Sequence, residues 1–423
     1  METFEQVLSM AVYAKNNIPF YQKLYADIDL AQLKNEKDIK LLPMITAEDI
    51  INKFEELRPI NEPPYRITSS SGTLGKPKVI FRTKDDSKQS IEVLKQLLSM
   101  AEVKDDDTVF IGQPFDMAHF GYLVLGGCEK IGALAIPAGI AMTNVQYTTL
   151  IQLYKPSVIC TSLSRLLSVI KLLQEEHIDG LPFVKKIILA GEPVSLSGIE
   201  KIKTYFHTVP YNFYGSEETD GLAGDCGQHR GLHFFNDLFY MELLHMDGMQ
   251  PSKKGNQIGE AVITSLYQKG MPLIRYRLGD IIEIEQEKCS CGCEYPLIHA
   301  YGRAKDAFSL FDGITVMAYQ IESALRSWRK DVTNYQIVVS SVVSGVEEIC
   351  VKVELEDKIE GDSLDKTSLI EKLWSCSEDL TGMRATGHLR FRVTINQSDI
   401  VVTQRGKTKR IIDLRKESGN ENC

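Results

Sequence analysis

"PSVICTSLSRLLSVIKLLQEEHIDGLPFVKKIILAGE", residues 156–192, holds the alternation on which the fold turns. Its two ends, PSVICTS (156–162) and KKIILAGE (185–192), are short apolar runs. Runs of this kind suit strands buried on both faces. Between them SRLLSVIKLLQEEH (164–177) carries a helical pattern. Buried strands alternating with helices indicate an α/β domain with mainly parallel strands.

The alternation extends from about residue 90 to 300, with TVFIG (108–112), ALAIPAG (133–139) and VPYNFYG (209–215) as further strands. Strands then dominate, in DLFYMELL (237–244), EAVITSL (260–266) and LGDIIEIE (278–285). Residues 1–58 read as helices with breaks. There FEQVLSMAVYA puts Phe4, Val7, Leu8 and Val12 at helical spacing, and Phe20, Tyr21 and Tyr25 are expected to pack. The pattern changes at YGRAKDAF (301–308). Helix MAYQIESALRSWR (317–329), strands YQIVVSSV (335–342) and EEICVKVELE (347–356), helix SLIEKLWSCSEDL (368–380) and strand LRFRVTI (389–395) follow. The expectation is an α/β protein: a large multi-sheet N-terminal α/β domain over 1–302 and a small α+β C-terminal domain over 303–423.

A chain of 423 residues has room for two or three domains, and its 43% apolar and 25% charged residues are ordinary for a globular protein. The net charge of -9 argues against a nucleic-acid binder, whose domain is usually basic. METFEQVLSMAVYAKNN lacks the basic start of a secretory signal, and no apolar run approaches the ~20 residues that span a bilayer. A cytoplasmic protein without a membrane partner is expected. Nine cysteines at irregular spacing do not make a disulfide framework. Cys128, Cys160, Cys350 and Cys376 lie in apolar patterns and read as core thiols.

Four polar clusters fall where an open α/β sheet gathers ligands, beyond the carboxyl ends of strands. The first is ITSSSGTLGKPKVIFR (67–82), rich in Gly, Ser and Thr and running into Lys76 and Lys78. Bare backbone N–H groups and positive charge suit phosphate. It is not a Walker loop, since Pro77 follows Gly75-Lys76 and Ser70 stands where the first glycine belongs. The second, YNFYGSEETDG (211–221), sets Glu217, Glu218 and Asp220 after an aromatic strand. Carboxylates beside a phosphate site suggest magnesium. In the third, LIRYRLGD (273–280), a strand is expected to end at Gly279-Asp280, whose carboxylate suits ribose hydroxyls. The fourth, QRGKTKRIIDLR (404–415), is a basic cluster headed by Gly406-Lys407. A solvated acidic loop and a solvated basic patch are the plain alternatives for the second and fourth.

A separate group lies in CSCGC (289–293), with Cys289, Cys291 and Cys293, and in DCGQHRGLH (225–233), with Cys226, His229 and His233. Structural zinc takes four Cys or His ligands. Reduced surface thiols are the alternative.

The order of the motifs resembles the adenylate-forming enzymes, which include acyl-CoA ligases and adenylation domains. The chain is most similar to the phenylacetate–CoA ligase family, on NNIPFYQKLY, LAGEPVS, YNFYGSEE, GLHFFNDLFYMEL and TSLYQKGMPLIRYRLGD. The resemblance implies an enzyme that joins a carboxylate to ATP, releases pyrophosphate and passes the acyl group to a thiol. That thiol is coenzyme A's or, alternatively, the phosphopantetheine of a carrier protein; a catalytically dead nucleotide-binding regulator is the reading from another class. By resemblance, Ser69, Ser70, Ser71, Gly72, Thr73, Gly75, Lys76 and Lys78 cradle the ATP phosphates. Tyr214 and Gly215 meet adenine, Asp280 and Arg303 the ribose, and Glu218 holds Mg2+. Glu217 falls where relatives often have Ser or Thr. Lys407 matches the catalytic lysine and Lys305 the hinge about which a mobile small domain swings. The acid pocket is expected in GQPFDMAHFGYLVLGG, at Phe115, Asp116, Ala118, His119 and Phe120, with Ala190, Gly191 and Glu192. Its aromatic wall suits an aryl acid, while Asp116 raises the possibility of a substrate amine. The same resemblance selects Cys226, His233, Cys289 and Cys291 for structural zinc, with His229 and Cys293 as reserves. A homodimer is left open.

Overall fold

The computed structural model describes residues 3–70, 77–194, 196–245, 251, 253, 255–310, 313–329, 332–343, 346–355, 365–396, 400 and 410–416. Its residues fall into two compact units. One comprises Met1–Leu244, Lys253–Leu278 and Ile282–His299, the other His245–Ser252, Gly279–Ile281 and Ala300–Cys423.

β1 (Arg66–Ser69) and β2 (Val79–Arg82) pair antiparallel, and the candidate phosphate stretch lies between them in the sequence. They are followed by β3 (Thr108–Ile111), β4 (Leu134–Ile136), β5 (Val158–Thr161), β6 (Lys186–Leu189) and β7 (Tyr211–Ser216). These five pair in the order β4-β3-β5-β6-β7, all parallel. The opening stretch is the repeating unit of this half. All four residues of β5 are buried, as are the last three of β6. The helix Leu163–Glu175 between them is capped by Ser162, which accepts from the Arg165 N–H. It buries Leu163, Leu166, Val169, Ile170 and Leu173, one stripe at spacings of three and four. β3 has β4 on one side and β5 on the other. The strand order therefore reverses at β3, which makes its carboxyl end a switch point.

Beyond β7 the sheet turns antiparallel through β8 (Asp220–Gly224), β9 (Leu232–Phe234), β10 (Phe239–Leu244), β11 (Gln257–Ser265), β12 (Tyr276–Ile284) and β13 (Leu297–Arg303). The full order is β10-β11-β12-β13-β9-β8-β7-β6-β5-β3-β4. β12 does not end at Gly279-Asp280, as the sequence suggested, but runs from Tyr276 to Ile284. Gly279 bends it instead, at φ +77, a backbone state open to glycine.

The N-terminal helix Thr3–Asn17 buries Val7, Met10, Ala11 and Ala14. The expected stripe was shifted by part of a turn, and Val12 is exposed. Small alanines let this helix lie close to the core, and apolar periodicity read from large residues alone misses them. Phe20, Tyr21 and Tyr25 are buried in the same core as Ile263, Leu273 and Tyr276.

The second unit has its own core. Within it are a hairpin of β14 (Ala307–Ser309) and β15 (Thr315–Met317), and four further strands. These are β16 (Val332–Val343), β17 (Val346–Leu355), β18 (Leu389–Ile395) and β19 (Ile411–Asp413), in the order β18-β17-β16-β19. Helices Ala318–Trp328, Lys366–Trp374 and Glu378–Met383 contribute Leu325, Leu373 and Leu380 to that core. The last two were expected as one helix. Ser377 divides them because its side chain accepts from the Leu380 N–H and starts a new helix.

Tyr21 ties the N-terminal segment to the large sheet. Its hydroxyl donates to the Pro272 carbonyl at 2.7 Å and accepts from the Ile274 N–H at 3.2 Å. Tyr21→Phe leaves both backbone groups without this partner and is expected to cost about 1–3 kcal/mol in urea unfolding; an unchanged midpoint would show that other partners replace the hydroxyl.

Candidate functional site

The site candidates lie off the carboxyl ends of β3, β6 and β7 and on the β1–β2 hairpin. That hairpin closes through Ser70, whose N–H donates to the Lys78 carbonyl at 3.1 Å and whose Oγ accepts from the Lys78 N–H at 3.3 Å. Ser69 donates its N–H to the Met117 carbonyl at 2.9 Å, which fastens the hairpin to the expected acid-pocket segment. Ser71, Gly72, Thr73, Gly75 and Lys76 lie outside the described residues, as does Lys407.

Lys78 reaches the acidic turn 140 residues away, where its ammonium pairs with the Glu218 carboxylate. Tyr276 donates its hydroxyl to the same carboxylate at 2.6 Å, and Gln268 donates to the Glu218 carbonyl at 2.9 Å. Burial by itself raises the Glu218 carboxyl. The Lys78 charge and the hydrogen bonds from Lys78 and Tyr276 outweigh burial and hold it below the ordinary carboxylate range. A buried carboxylate held in its ionised form is a hard oxygen ligand of the type magnesium takes.

The next acid is held differently. Asp220 receives Arg82 Nη2 at 2.6 Å, Arg82 Nε at 3.1 Å, Ser90 Oγ at 2.6 Å and His119 Nε2 at 3.0 Å. Burial opposes its charge, but the Arg82 guanidinium and His119 more than reverse that and keep it well below the usual range. Arg82 also donates to Thr68 Oγ1 at 2.7 Å and to the Glu217 carbonyl. Because Asp220 accepts at Nε2, His119 carries its proton there; burial lowers its affinity for a second one. Glu217 is the exception among the three acids. Burial pushes its carboxyl up to about 8 against the pull of Arg82 and a Thr68 hydrogen bond. At neutral pH the turn therefore carries two carboxylate charges, met by the two cations Lys78 and Arg82.

Gly215 follows Tyr214 at an irregularity in the β7–β8 pairing. A Cβ there would stand 1.8 Å from the Asp220 carbonyl oxygen, so the turn admits only glycine.

In the expected acid pocket, Phe115 meets Tyr122 edge to face at 5.0 Å. Asp116 is exposed and accepts from the Ala118 N–H at 3.0 Å, so it caps its own turn. Phe120 begins a helix behind buried His119. Gln113 donates to the carbonyl of buried Ala190 at 3.5 Å, and Gly191 follows at φ +90. Glu192 accepts from the Ser164 N–H at the start of the helix after β5. In the second unit, Arg303 Nε lies 3.1 Å from Asp280 Oδ1, and Lys305 sits in the turn Ala304–Asp306.

Sequence reasoning did not single out Arg82, Ser90, Thr68 or Tyr276. A lone arginine in the apolar strand VIFR was the available signal, because a buried charge requires a partner. No spacing rule links residue 82 to residue 220.

The cysteines and histidine chosen by resemblance converge. The ligand atoms of Cys226, His233, Cys289 and Cys291 lie within 4.8 Å of one another. Cys226 Sγ is 3.8 Å from Cys289 Sγ, and Cys291 Sγ is 3.3 Å from His233 Nε2. A tetrahedral ion bound at about 2.3 Å to sulfur and about 2.0–2.1 Å to nitrogen has edges of roughly 3.8 and 3.6 Å. His233 is already in the correct tautomer. Its Nδ1 is 3.1 Å from the Tyr295 carbonyl, which can only accept, so a proton is on Nδ1 and Nε2 is the nitrogen turned toward the sulfurs. His229 turns away to Asp225, at 2.7 Å, and Cys293 donates its N–H to Cys291 Sγ. The four residues can hold a metal ion.

Comparison with known proteins adds three findings. Residues 313–415 match the family described as AMP-binding enzyme C-terminal domain. The phenylacetate-coenzyme A ligases of Thermus thermophilus and Escherichia coli are 25% and 24% identical to this chain. Those alignments cover 97% and 95% of it and 96% and 92% of the relatives. Among solved structures, a 2-hydroxyisobutyryl-CoA ligase bound to an acyl-AMP in its postadenylation state matches with a TM-score of 0.77 at 18% identity, over 98% of this chain and 89% of that one. An anthranilate CoA ligase with anthranoyl-AMP matches at 0.57 and 15%, over 83% and 66%. No helix among the described residues is long and apolar enough to cross a membrane.

Gly215→Ala is expected to destabilise the protein by about 1–3 kcal/mol, as overpacking does. Thermal unfolding checks this, and wild-type stability would show that the turn has room.

Proposed function

We propose that the chain is an adenylate-forming enzyme of the phenylacetate–CoA ligase type, an AMP-forming acid–thiol ligase that activates an aromatic carboxylic acid with ATP and transfers the acyl group to coenzyme A. The observation that carries the reading is the meeting of Lys78, from the phosphate loop, with Glu218, from the acidic turn. It joins a cation suited to phosphate and a carboxylate suited to magnesium at one point.

The substrate carboxylate attacks the α-phosphorus of ATP and pyrophosphate leaves. The loop Ser69–Lys78 would hold the departing phosphates with its lysines, and Glu218 would hold the magnesium ion that offsets their charge. Tyr214 and Gly215 would meet adenine, and Asp280 with Arg303 the ribose. Lys407 would stand between the carboxylate and the α-phosphate, where negative charge grows. The thiol then attacks the acyl carbon and AMP leaves. Residues 303–423 would act as the mobile domain, hinged at Lys305. The Phe115–Tyr122 pair supports an aromatic acid, and three of the similar proteins are named for aromatic acids. Loading of a carrier-protein phosphopantetheine uses the same first step and is the second reading.

Zinc is the ion the Cys226–His233–Cys289–Cys291 set fits, by its sulfur and nitrogen donors. It would join the loop before β9 to the loop before β13, a structural role with no open position. The purified protein is expected to contain about one zinc per chain, and Cys226→Ser or His233→Ala to lose it in elemental analysis. Metal retained in both variants would refute this ligand set.

The activity is tested by pyrophosphate release with ATP, magnesium and a panel of benzoic, salicylic, anthranilic, phenylacetic and cinnamic acids, with amino acids and medium-chain fatty acids alongside. Release with an aromatic acid, followed by acyl-CoA formation when coenzyme A is added, is expected. Lys407→Ala should lower release by about 10²–10³-fold while the protein stays folded. Release with an aliphatic acid alone would overturn the aromatic assignment, and undiminished release by Lys407→Ala would overturn the role of the lysine.

A further inference from the structure

We propose that Arg82, with Asp220 as its partner, is a positioning residue for adenylation: the pair sets where the Glu217–Glu218 turn stands relative to the phosphate hairpin. The inference rests on the reading above, and goes beyond it by adding residues that touch neither ATP nor acid.

One guanidinium reaches three pieces of the site. It holds Thr68 of β1 at 2.7 Å, the Asp220 carboxylate at 2.6 and 3.1 Å, and the Glu217 carbonyl. Asp220 extends the clamp to Ser90 of the helix Lys84–Met100 and to His119 of the acid-pocket segment. Glu218 lies between two residues that Arg82 grips, and its own carbonyl is held by Gln268. Its carboxylate is thus aimed by a backbone fixed on both sides.

Two further facts separate this clamp from ordinary packing. Arg82 and Asp220 side chains are each 1% exposed, so a charge pair stands where apolar residues would give equal stability. Asp220 also has φ +58, a left-handed backbone state, and its carboxylate takes four donor atoms from three side chains. The guanidinium uses three separate nitrogens to reach a hydroxyl, a carboxylate and a carbonyl; an ammonium carries all its donors on one nitrogen and does not reproduce that spread.

The test uses full-length Arg82→Lys and the apolar double variant Arg82→Met/Asp220→Leu. A second buried pair serves as control, Arg275→Met/Glu242→Leu, whose side chains are 6% and 9% exposed. Pyrophosphate release is measured against magnesium concentration at saturating ATP, beside thermal unfolding. Arg82→Lys is expected to stay folded, to need more magnesium for half-maximal release, and to lose about 10²-fold in kcat, the effect of a misplacement near 1 Å. The control keeps the wild-type magnesium dependence. Folded Arg82→Lys with wild-type kcat and magnesium dependence overturns the inference, and so does a folded double variant with both unchanged. If the double variant does not fold, Arg82→Lys decides. If the wild type releases no pyrophosphate, the proposed function falls separately, and magnesium-dependent ATP binding by calorimetry takes over: binding by Arg82→Lys that matches wild type overturns the inference, and a raised magnesium requirement supports it.

Discussion

The guanidinium of Arg82 sits where water does not reach, and the arrangement of the candidate site follows from meeting its charge. Removing one partner from a buried pair costs about 3–5 kcal/mol, because the other charge is left uncompensated. Asp220 therefore has to be where it is, and the turn that carries it has to follow. The β1–β2 hairpin, the helix after it, the segment before the next helix and the β7–β8 turn share this one pair. Glu218 rides on that turn and meets Lys78 from the same hairpin.

The rest of the molecule handles polar groups by the same logic with different partners. Glu218 is kept ionised by an ammonium and a phenol, while Glu217, with weaker compensation, keeps its proton to about pH 8. Burial pushes the Cys226 thiol up to about 12. Thiolate is the form in which sulfur binds a metal ion, and a bound cation favours it. His233 is prepared for that centre by a carbonyl, as His119 is oriented by a carboxylate.

Much of the architecture was legible. Apolar runs such as VICT and KIIL need two covered faces, and parallel strands with helices between them provide these. The helix that begins at Leu163 announces itself by spacing and by the serine before it. Misreadings came where a local signal was outweighed. Ala11 and Ala14 were not counted as apolar anchors, so the first helix was turned toward Val12. Gly279 looked like a terminator, yet pairing on both sides carries β12 through it. In the second unit Ser377 starts a new helix inside a continuous apolar pattern.

The elements, the glycine-rich stretch, the acidic turn and the two Cys/His motifs can be read along the chain, because each is a local matter of residue type and spacing. Which of these groups meet is a matter of packing. Arg82 and Asp220 are 138 residues apart, and Cys226 and Cys289 are 63 apart. Such pairs form because burying a charge or a thiol group is tolerated only beside a partner, and the partner is supplied by the packing of the sheet. That also explains why His233 stands among the sulfurs and His229 turns to Asp225: both occur in the same short motif, and the strand β9 carries one of them into the cluster and leaves the other behind.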